Sequence, residues 1–267
     1  MSEPVTTVEP SSAGFVQSLA RGLLVIRAFD ESRPRMTLSE VSRATGLSRA
    51  AVRRFLHTLV RMGYVSTDGR IFSLTPRVLE LGFSYLSSAS LPEIAQPHLE
   101  TLVSRVHESA SVSVLDGDDI VYVARVPTSR IMTVSITIGT RFPAYATSMG
   151  RVLLANLPTA ELESYLGRVR IEHLGPRTLS GTDALREELE IVRRRGRALV
   201  DQELEAGLRS VAAPVRGAGG TVVAAANVSS HAGRTGAEHT RDTLLPPLLD
   251  AVNRMGADLR SVAGRSH

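Results

Sequence analysis

The stretch TLSEVSRATGLSRAAVRRFLHTLVRMG, residues 37–63, decides the fold of the first third of the chain. Thr37 and Glu40 stand at the spacing of a capping box, in which a hydroxyl and a carboxylate three residues later close the start of a helix. Gly46 favours a sharp end to that helix, and Ser48 is a good N-cap for a second one. Two short helices joined by such a turn predict a helix-turn-helix.

The helix predicted between Ser48 and Met62 has two chemically different faces. At about 100° per residue, its apolar face consists of Val52, Phe55, Leu56 and Leu59. Its outward face carries Ala50, Arg53, Arg54, His57 and Arg61, with Arg49 at the N-terminal edge. This outward face contains no acid, and arginine suits both phosphate and the O6/N7 edge of guanine. The pattern predicts a DNA recognition helix, with a merely solvated surface as the alternative.

A hairpin is predicted directly after this helix, over residues 64–74. Asp68-Gly69 between alternating strands is a strong signal for a tight turn, and Arg70 follows at its tip. A hairpin in this position is the wing of a winged helix-turn-helix. The side chains that we predict to contact DNA are Thr37, Ser48, Arg49, Ala50, Arg53, Arg54, His57 and Arg70.

The composition excludes several classes of protein. The 267 residues include no Cys, which excludes a disulfide framework, a Cys-ligated zinc site and a thiol nucleophile. All 31 basic residues are Arg, so chemistry that requires a lysine is also excluded. No apolar run is long enough to span a membrane, and the N-terminus MSEPVTTVEPSSAG has acids where a secretory signal would be basic. We therefore expect a cytoplasmic protein.

Charge divides the chain into a basic module and a neutral remainder. Residues 1–80 contain 11 Arg against 7 acids, whereas residues 81–267 contain 20 of each. We predict a disordered tail over 1–13 and a winged helix-turn-helix over 14–76, followed by a linker helix over 77–92 and an effector-binding domain over 93–267. The first helix of the DNA-binding module is predicted from the repeat of Leu19, Leu23, Ile26 and Phe29.

For the larger domain, the pattern of helices and strands predicts an α+β fold with a mainly antiparallel sheet. Helices are predicted at 93–108, 149–156, 159–166, 183–195 and 237–262, the last interrupted by Pro246-Pro247, and strands at 111–115, 120–124, 131–138, 197–202, 210–216 and 221–229. No catalytic motif, dinucleotide fingerprint or metal-ligand spacing is present, so we expect no catalytic residue, no cofactor and no metal.

Some segments of this domain instead favour a ligand site. RFPAYATSMG, residues 141–150, leads into a helix N-terminus whose free N–H groups can hold a carboxylate. DQELEAGLRS, residues 201–210, places charged groups between two strands, and Asn227 and Ser229 alternate on a strand, with solvent exposure as the alternative. Arg130 and Arg141 are candidates to clamp a carboxylate through two parallel hydrogen bonds, although surface arginine is the simpler interpretation.

The sequence resembles the IclR family of bacterial transcription regulators. The resemblance covers residues 14–262 and is carried by FVQSLARGL at 15–23, TLSEV at 37–41, GLS at 46–48, TSMGRVLLA at 147–155 and GLRSVAAPV at 207–215. RAAVRRFL at 49–56, LTPRVL at 74–79, LDG at 115–117 and VDQELE at 200–205 are similar to the PcaR/PcaU/PobR branch, whose members regulate catabolism of protocatechuate, p-hydroxybenzoate and β-ketoadipate.

This resemblance implies a GAF-like effector domain, assembly as a homodimer or a dimer of dimers, and effector contacts from residues 145–149, 201–210 and 227–229. The candidate effector-binding residues are Arg130, Met132, Arg141, Tyr145, Ala146, Thr147, Ser148, Asp201, Glu203, Ser210, Asn227 and Ser229. Asn227 stands where some members carry Ser, and an amide offers both a donor and an acceptor.

We therefore expect a sequence-specific regulator of aromatic-compound catabolism that binds double-stranded operator DNA and a small carboxylate effector. One alternative is an enzyme acting on an aromatic acid, with the DNA-binding module as an accessory. Another is an IclR-type repressor whose effector is unrelated to aromatic acids.

Overall fold

The computed structural model describes residues 15–30, 32–81, 91–128, 136–234 and 236–263. The chain divides into two compact units, Met1–Ser88 and Ala89–His267. The tail predicted over 1–13 lies outside the described residues, as do residues 82–90 of the predicted linker helix. The part of the linker that is described begins with a 3-10 turn at Pro76–Val78. The domain boundaries therefore stay predictions.

The N-terminal unit contains the three predicted helices, α1 (Gln17–Arg27), α2 (Leu38–Thr45) and α3 (Arg49–Arg61). The capping box is confirmed, because the Thr37 hydroxyl accepts from the Glu40 N–H while the Glu40 carboxylate accepts from the Thr37 N–H at 2.7 Å. Gly46 ends α2 in the left-handed conformation, with φ of 68°. Ser48 caps α3 by accepting from the Ala51 N–H.

The core of this unit includes the predicted apolar face of α3, with Val52, Leu56 and Leu59 buried and Phe55 packed against them. Only part of the apolar repeat predicted for the first helix is buried in this core. Phe29 is buried and Ile26 is half-buried, whereas Leu19 and Leu23 keep 63% and 48% of their surface exposed. Helical spacing predicts which residues share a face, but it does not say how much of that face its own domain covers.

The wing is confirmed as β2 (Val65–Thr67) and β3 (Ile71–Leu74), which pair antiparallel around the Asp68-Gly69 turn. A strand that the sequence analysis missed, β1 (Arg35–Thr37), pairs with the other edge of β3. Three residues are too few for an alternation signal, and Thr37 serves both as the end of β1 and as the cap of α2.

The C-terminal unit contains one antiparallel sheet in the order β6-β5-β4-β9-β8-β7. Its strands are β4 (Ser109–Asp116), β5 (Asp119–Val126), β6 (Arg141–Pro143), β7 (Ala198–Asp201), β8 (Leu208–Arg216) and β9 (Val222–His231). Its helices are α4 (Leu91–Val106), α5 (Ser148–Ala155), α6 (Thr159–Arg168), α7 (Thr182–Arg195), a short α8 (Ala237–His239) and α9 (Leu245–Ala263).

Helices cover both faces of this sheet. On one face, α4 and α9 pack against Val112, Val211, Ala226 and Val228. On the other, α5 packs with α7 against Tyr122, Ala212 and Ala225. Since side chains alternate across a strand, the residues that alternate with the first set face α5.

Two expectations for this unit need correction. The strand expected at 131–138 falls outside the described residues up to 135, and residues 136–138 are not a strand. The interruption expected at Pro246-Pro247 lies earlier, at a π-helical turn, Thr240–Leu244, that precedes the prolines and leads into α9. The widened turn accommodates two residues that lack an N–H.

Candidate DNA interface and ligand-binding face

The outward face of α3 is basic and open to solvent. Arg53, Arg54 and His57 are exposed on the side opposite the buried Val52 and Leu56. Among the described residues, neither Arg53 nor Arg54 takes part in an ion pair. Two guanidinium groups that no acid neutralises are therefore presented side by side, as an anionic partner would require.

The remaining predicted DNA contacts surround this face, and several have structural tasks. The Thr37 and Ser48 hydroxyls cap α2 and α3. Arg49 donates from Nη2 to Ser39 Oγ at 2.6 Å, which links the two helices of the motif. Ala50 is exposed in the first turn of α3, and Arg70 is exposed at the tip of the wing.

A row of polar side chains crosses the sheet face that α5 covers. Ser111 on β4 lies directly opposite Arg125 on β5 and opposite Asn227 on β9. Ser229 on β9 is opposite Ser210 on β8. Of these five, all but the half-buried Arg125 and Ser229 are buried. Hydroxyl, amide and guanidinium groups on an inward face are the polar lining expected of a ligand site.

The segment before α5 joins this face. Tyr145, Ala146, Thr147 and Ser148 are all buried, and the Ser148 and Ser210 hydroxyls are 2.8 Å apart. Thr147 caps α5 by accepting from the Gly150 N–H at 3.0 Å. The Tyr145 hydroxyl accepts from the Glu172 N–H at 3.0 Å, so it is held by a neighbouring loop.

The predicted acids Asp201 and Glu203 are already paired. Glu203 forms a bidentate, buried ion pair with Arg151 of α5, whose Nε also donates to the Tyr145 carbonyl at 2.9 Å. Asp201 accepts from Arg209 Nε at 3.0 Å and pairs with Arg177. These acids hold the segments 145–151 and 201–209 in place, and their charges are compensated within the domain.

The two arginines predicted as carboxylate clamps do not join this row. Arg141 pairs with Asp116 and Asp119 at the sheet edge, with Nε at 3.1 Å from the latter carboxylate. Arg130 and Met132 lie outside the described residues. The structure therefore brings together Tyr145, Ala146, Thr147, Ser148, Ser210, Asn227 and Ser229, and it places Arg141 elsewhere.

Sequence analysis missed Arg125. Its Nη1 donates to Ser111 Oγ at 3.1 Å, and burial lowers the pKa of its guanidinium. Within the described ranges no acid forms an ion pair with it. A single arginine in the apolar strand that follows Ile120 was the available signal, since a charge on a core strand requires a partner.

Other chemistry finds no support among the described residues. No cluster of His, Asp and Glu there could hold a metal ion. Every helix in that part of the chain is too short or too polar to cross a membrane. A winged helix with a basic outward face, followed by a domain with a polar inward face, is the arrangement typical of ligand-responsive DNA-binding regulators.

Comparison with known families places the chain within this class. Residues 18–69 match the IclR helix-turn-helix domain, and residues 83–256 match the C-terminal domain of bacterial IclR transcriptional regulators. The chain belongs to the IclR family. It is a transcriptional regulator rather than an enzyme, as expected from the sequence.

Individual relatives show which members of the family this chain is similar to. The chain is 48% identical over 238 residues to the Pca regulon regulatory protein of Pseudomonas putida. The aligned residues make up 89% of this chain and 82% of that one. A protein of Rhodococcus sp. RHA1 described as a transcriptional regulator shares 60% identity and a TM-score of 0.84, covering 93% of this chain and all of its own. An IclR homologue from Microbacterium hydrocarbonoxydans, solved with 4-hydroxybenzoate, is 26% identical with a TM-score of 0.82, covering 92% of this chain and 100% of that one. The chain is therefore similar to the regulator of a Pca regulon and to a family member that holds 4-hydroxybenzoate.

Proposed function

We propose that this protein is a cytoplasmic regulator that binds operator DNA through α3 and the wing. A small aromatic carboxylate that binds inside the C-terminal domain controls its action on DNA. The observation that carries the proposal is the outward face of α3, where Arg53 and Arg54 are exposed and pair with no acid in the described part of the chain. A recognition helix of this kind reads base edges in the major groove. Arg70 at the wing tip contacts phosphate or the minor groove.

The effector class is supported by two independent observations. The domain contains an inward polar face with Arg125, a cation that forms no ion pair with any described residue, which suits a carboxylate. The relatives govern a Pca regulon in one case and hold 4-hydroxybenzoate in another. A ligand on this face acts by favouring one arrangement of the paired DNA-binding modules.

A thermal-shift panel of hydroxybenzoates and aliphatic dicarboxylates tests the effector class. We expect a hydroxybenzoate to raise Tm in a concentration-dependent way, since a ligand at 100 times its Kd stabilises the folded state by about 2.7 kcal/mol. Stabilisation by dicarboxylates alone would contradict the aromatic class, and stabilisation by neither would favour a regulator with an unrelated effector.

We further propose a homodimer, or a dimer of dimers, with two α3 helices about 34 Å apart along the DNA. The support is an apolar stripe formed by Leu19 and Leu23 of α1 and by Phe15 just before the helix, whose side chains are exposed. Such a stripe is typical of a surface that a second subunit covers.

Sedimentation analysis tests this assembly. We expect the wild type to sediment as a dimer or tetramer, and the Leu19→Glu/Leu23→Glu variant to lose operator affinity by at least about tenfold, because one misplaced module loses its half-site. Ile138→Glu, which alters an exposed apolar residue of the other unit, is the control. A monomeric wild type, or unchanged operator binding by the α1 variant, would contradict the proposal.

A further inference from the structure

We propose that one corner of the C-terminal domain is a docking surface for an acidic, partly apolar segment of a partner protein. The surface consists of two hollows on either side of Gly196, and we call it the arginine corner. Its basic side chains are Arg195, Arg197, Arg216, Arg241 and Arg260. This surface is separate from the effector site and from the α3 face.

The arginine corner carries positive charge that its own domain does not neutralise. Residues 81–267 contain as many acids as arginines, and most other described arginines of the domain are paired with an acid. Of the five arginines in the corner, only Arg241 forms an ion pair within the described part of the chain, and its partner is the neighbouring Asp242. The acids of the domain therefore compensate arginines elsewhere and leave this corner basic.

The first hollow lies between the end of α7, β7 and the π-helical turn, and its volume is about 290 Å³. Arg195, Arg197 and Arg241 line it, together with one acid, Glu188. The apolar part of its lining includes Ile191, Leu199 and Leu245. Three guanidinium groups therefore surround an apolar floor.

The second hollow lies between Gly196, the end of β8 and α9, and its volume is about 470 Å³. Arg216 and Arg260 line it, and none of the described residues around it is an acid. Arg216 Nη1 donates to the Gly220 carbonyl at 2.9 Å, which orients the guanidinium without neutralising its charge. Leu249, 37% exposed, adds an apolar wall.

This combination of charge and apolar surface indicates the chemistry of the partner. A guanidinium binds a carboxylate through paired hydrogen bonds, and apolar walls favour an apolar side chain. A nucleic-acid backbone would pair with the arginines, but it would leave the apolar floor of both hollows in water. A polypeptide with both carboxylates and apolar side chains satisfies both requirements, and two adjoining hollows suit a chain of several residues.

Fluorescence anisotropy with the full-length protein and a labelled peptide of alternating Asp and Leu tests the surface. We expect this peptide to bind at least about tenfold more tightly than matched peptides in which Asn replaces Asp or Ser replaces Leu. Arg216→Gln/Arg260→Gln should lower its affinity at least about tenfold, because two charge-assisted hydrogen bonds are lost.

Two further variants show whether the loss belongs to the corner. Arg195→Gln/Arg197→Gln changes the other hollow and should weaken peptide binding in the same way. Arg254→Gln removes an exposed arginine of α9 that is paired with Asp250, and it should bind the peptide within about twofold of wild type. Circular dichroism shows that each variant is folded.

The outcomes distinguish this surface from the DNA interface. Absence of saturable binding, or equal affinity for the three peptides, would contradict the proposal. A loss of peptide binding in Arg53→Ala/Arg54→Ala alone would place the peptide on α3 and overturn it. Random duplex DNA should bind Arg216→Gln/Arg260→Gln within about twofold of wild type. A tenfold loss of duplex binding there, with peptide binding unchanged, would assign the corner to DNA instead.

Discussion

Replacing Arg151 by methionine is expected to lower the free energy of unfolding of the C-terminal domain by about 3–5 kcal/mol, because it leaves a buried carboxylate without its partner. Arg151 is 1% exposed, and it pairs with Glu203 through both terminal nitrogens. Urea unfolding followed by circular dichroism measures the effect.

A second variant separates the loss of the partner from the loss of packing. In Arg151→Met/Glu203→Leu, both charges are removed, and an apolar pair of similar volume should recover most of the lost stability. Arg254→Met breaks an exposed pair with Asp250 and should change stability by less than about 1 kcal/mol. If the single Arg151→Met variant unfolds at the same midpoint urea concentration as the wild type, the buried pair does not stabilise the domain.

The Arg151→Met substitution should also weaken effector binding. Arg151 holds the Tyr145 carbonyl and thereby the segment that carries Thr147 and Ser148 to the sheet face. Gly150 reinforces this fit, since a Cβ there would stand 2.1 Å from the Ala144 carbonyl oxygen. The ligand face therefore depends on close packing between α5 and the turn before it.

The second large effect is expected at the DNA interface. Arg53→Ala/Arg54→Ala should weaken operator binding by at least about 1–3 kcal/mol, which is the contribution of one arginine that contacts a base. The two residues are neighbours, so their effects need not add. Fluorescence anisotropy with labelled operator DNA measures the loss. Loss of a contact with a base should weaken binding to the operator more than binding to random DNA. Loss of a phosphate contact should weaken binding to both equally.

A matched control lies in the same unit. Arg33 is half-buried and paired with Asp30, whose pKa it lowers together with Ser32 to about 2. Arg33→Ala should leave operator affinity within about twofold of wild type, because its charge already has a partner. Equal losses in the control and in the α3 variant would mean that net charge, and not the α3 face, determines binding.

Local sequence signals predicted the DNA-binding unit well, because its elements are bounded by residues with short-range effects. Thr37, Gly46, Ser48 and the Asp68-Gly69 turn each act within three or four residues of the backbone that they determine. The exposure of Leu19 and Leu23 could not be predicted, since it depends on what covers α1.

The ligand face was harder to predict, because its pairings join distant parts of the chain. Residues 145–148 were identified as candidates because they lead into a helix N-terminus, and Ser210 because it ends a charged segment between two strands. Asn227 was identified as a polar residue on an otherwise apolar strand. The pairing of Glu203 with Arg151, and of Arg141 with Asp116, follows only from the tertiary fold. Arg125 was missed because the pairing of β4 with β5 shifts between Val112 and Ser113, where β5 contains one extra residue, Val123, so simple alternation along β5 does not identify its face.

The central claim, that the arginine face of α3 lies against duplex DNA, is tested most directly by the salt dependence of operator binding. If each subunit of a dimer neutralises about four phosphates, log K should fall with log salt concentration with a slope near −7. In Arg53→Ala/Arg54→Ala, the slope should become shallower for every phosphate contact that is lost. Affinity that stays flat from low to high salt would contradict the account.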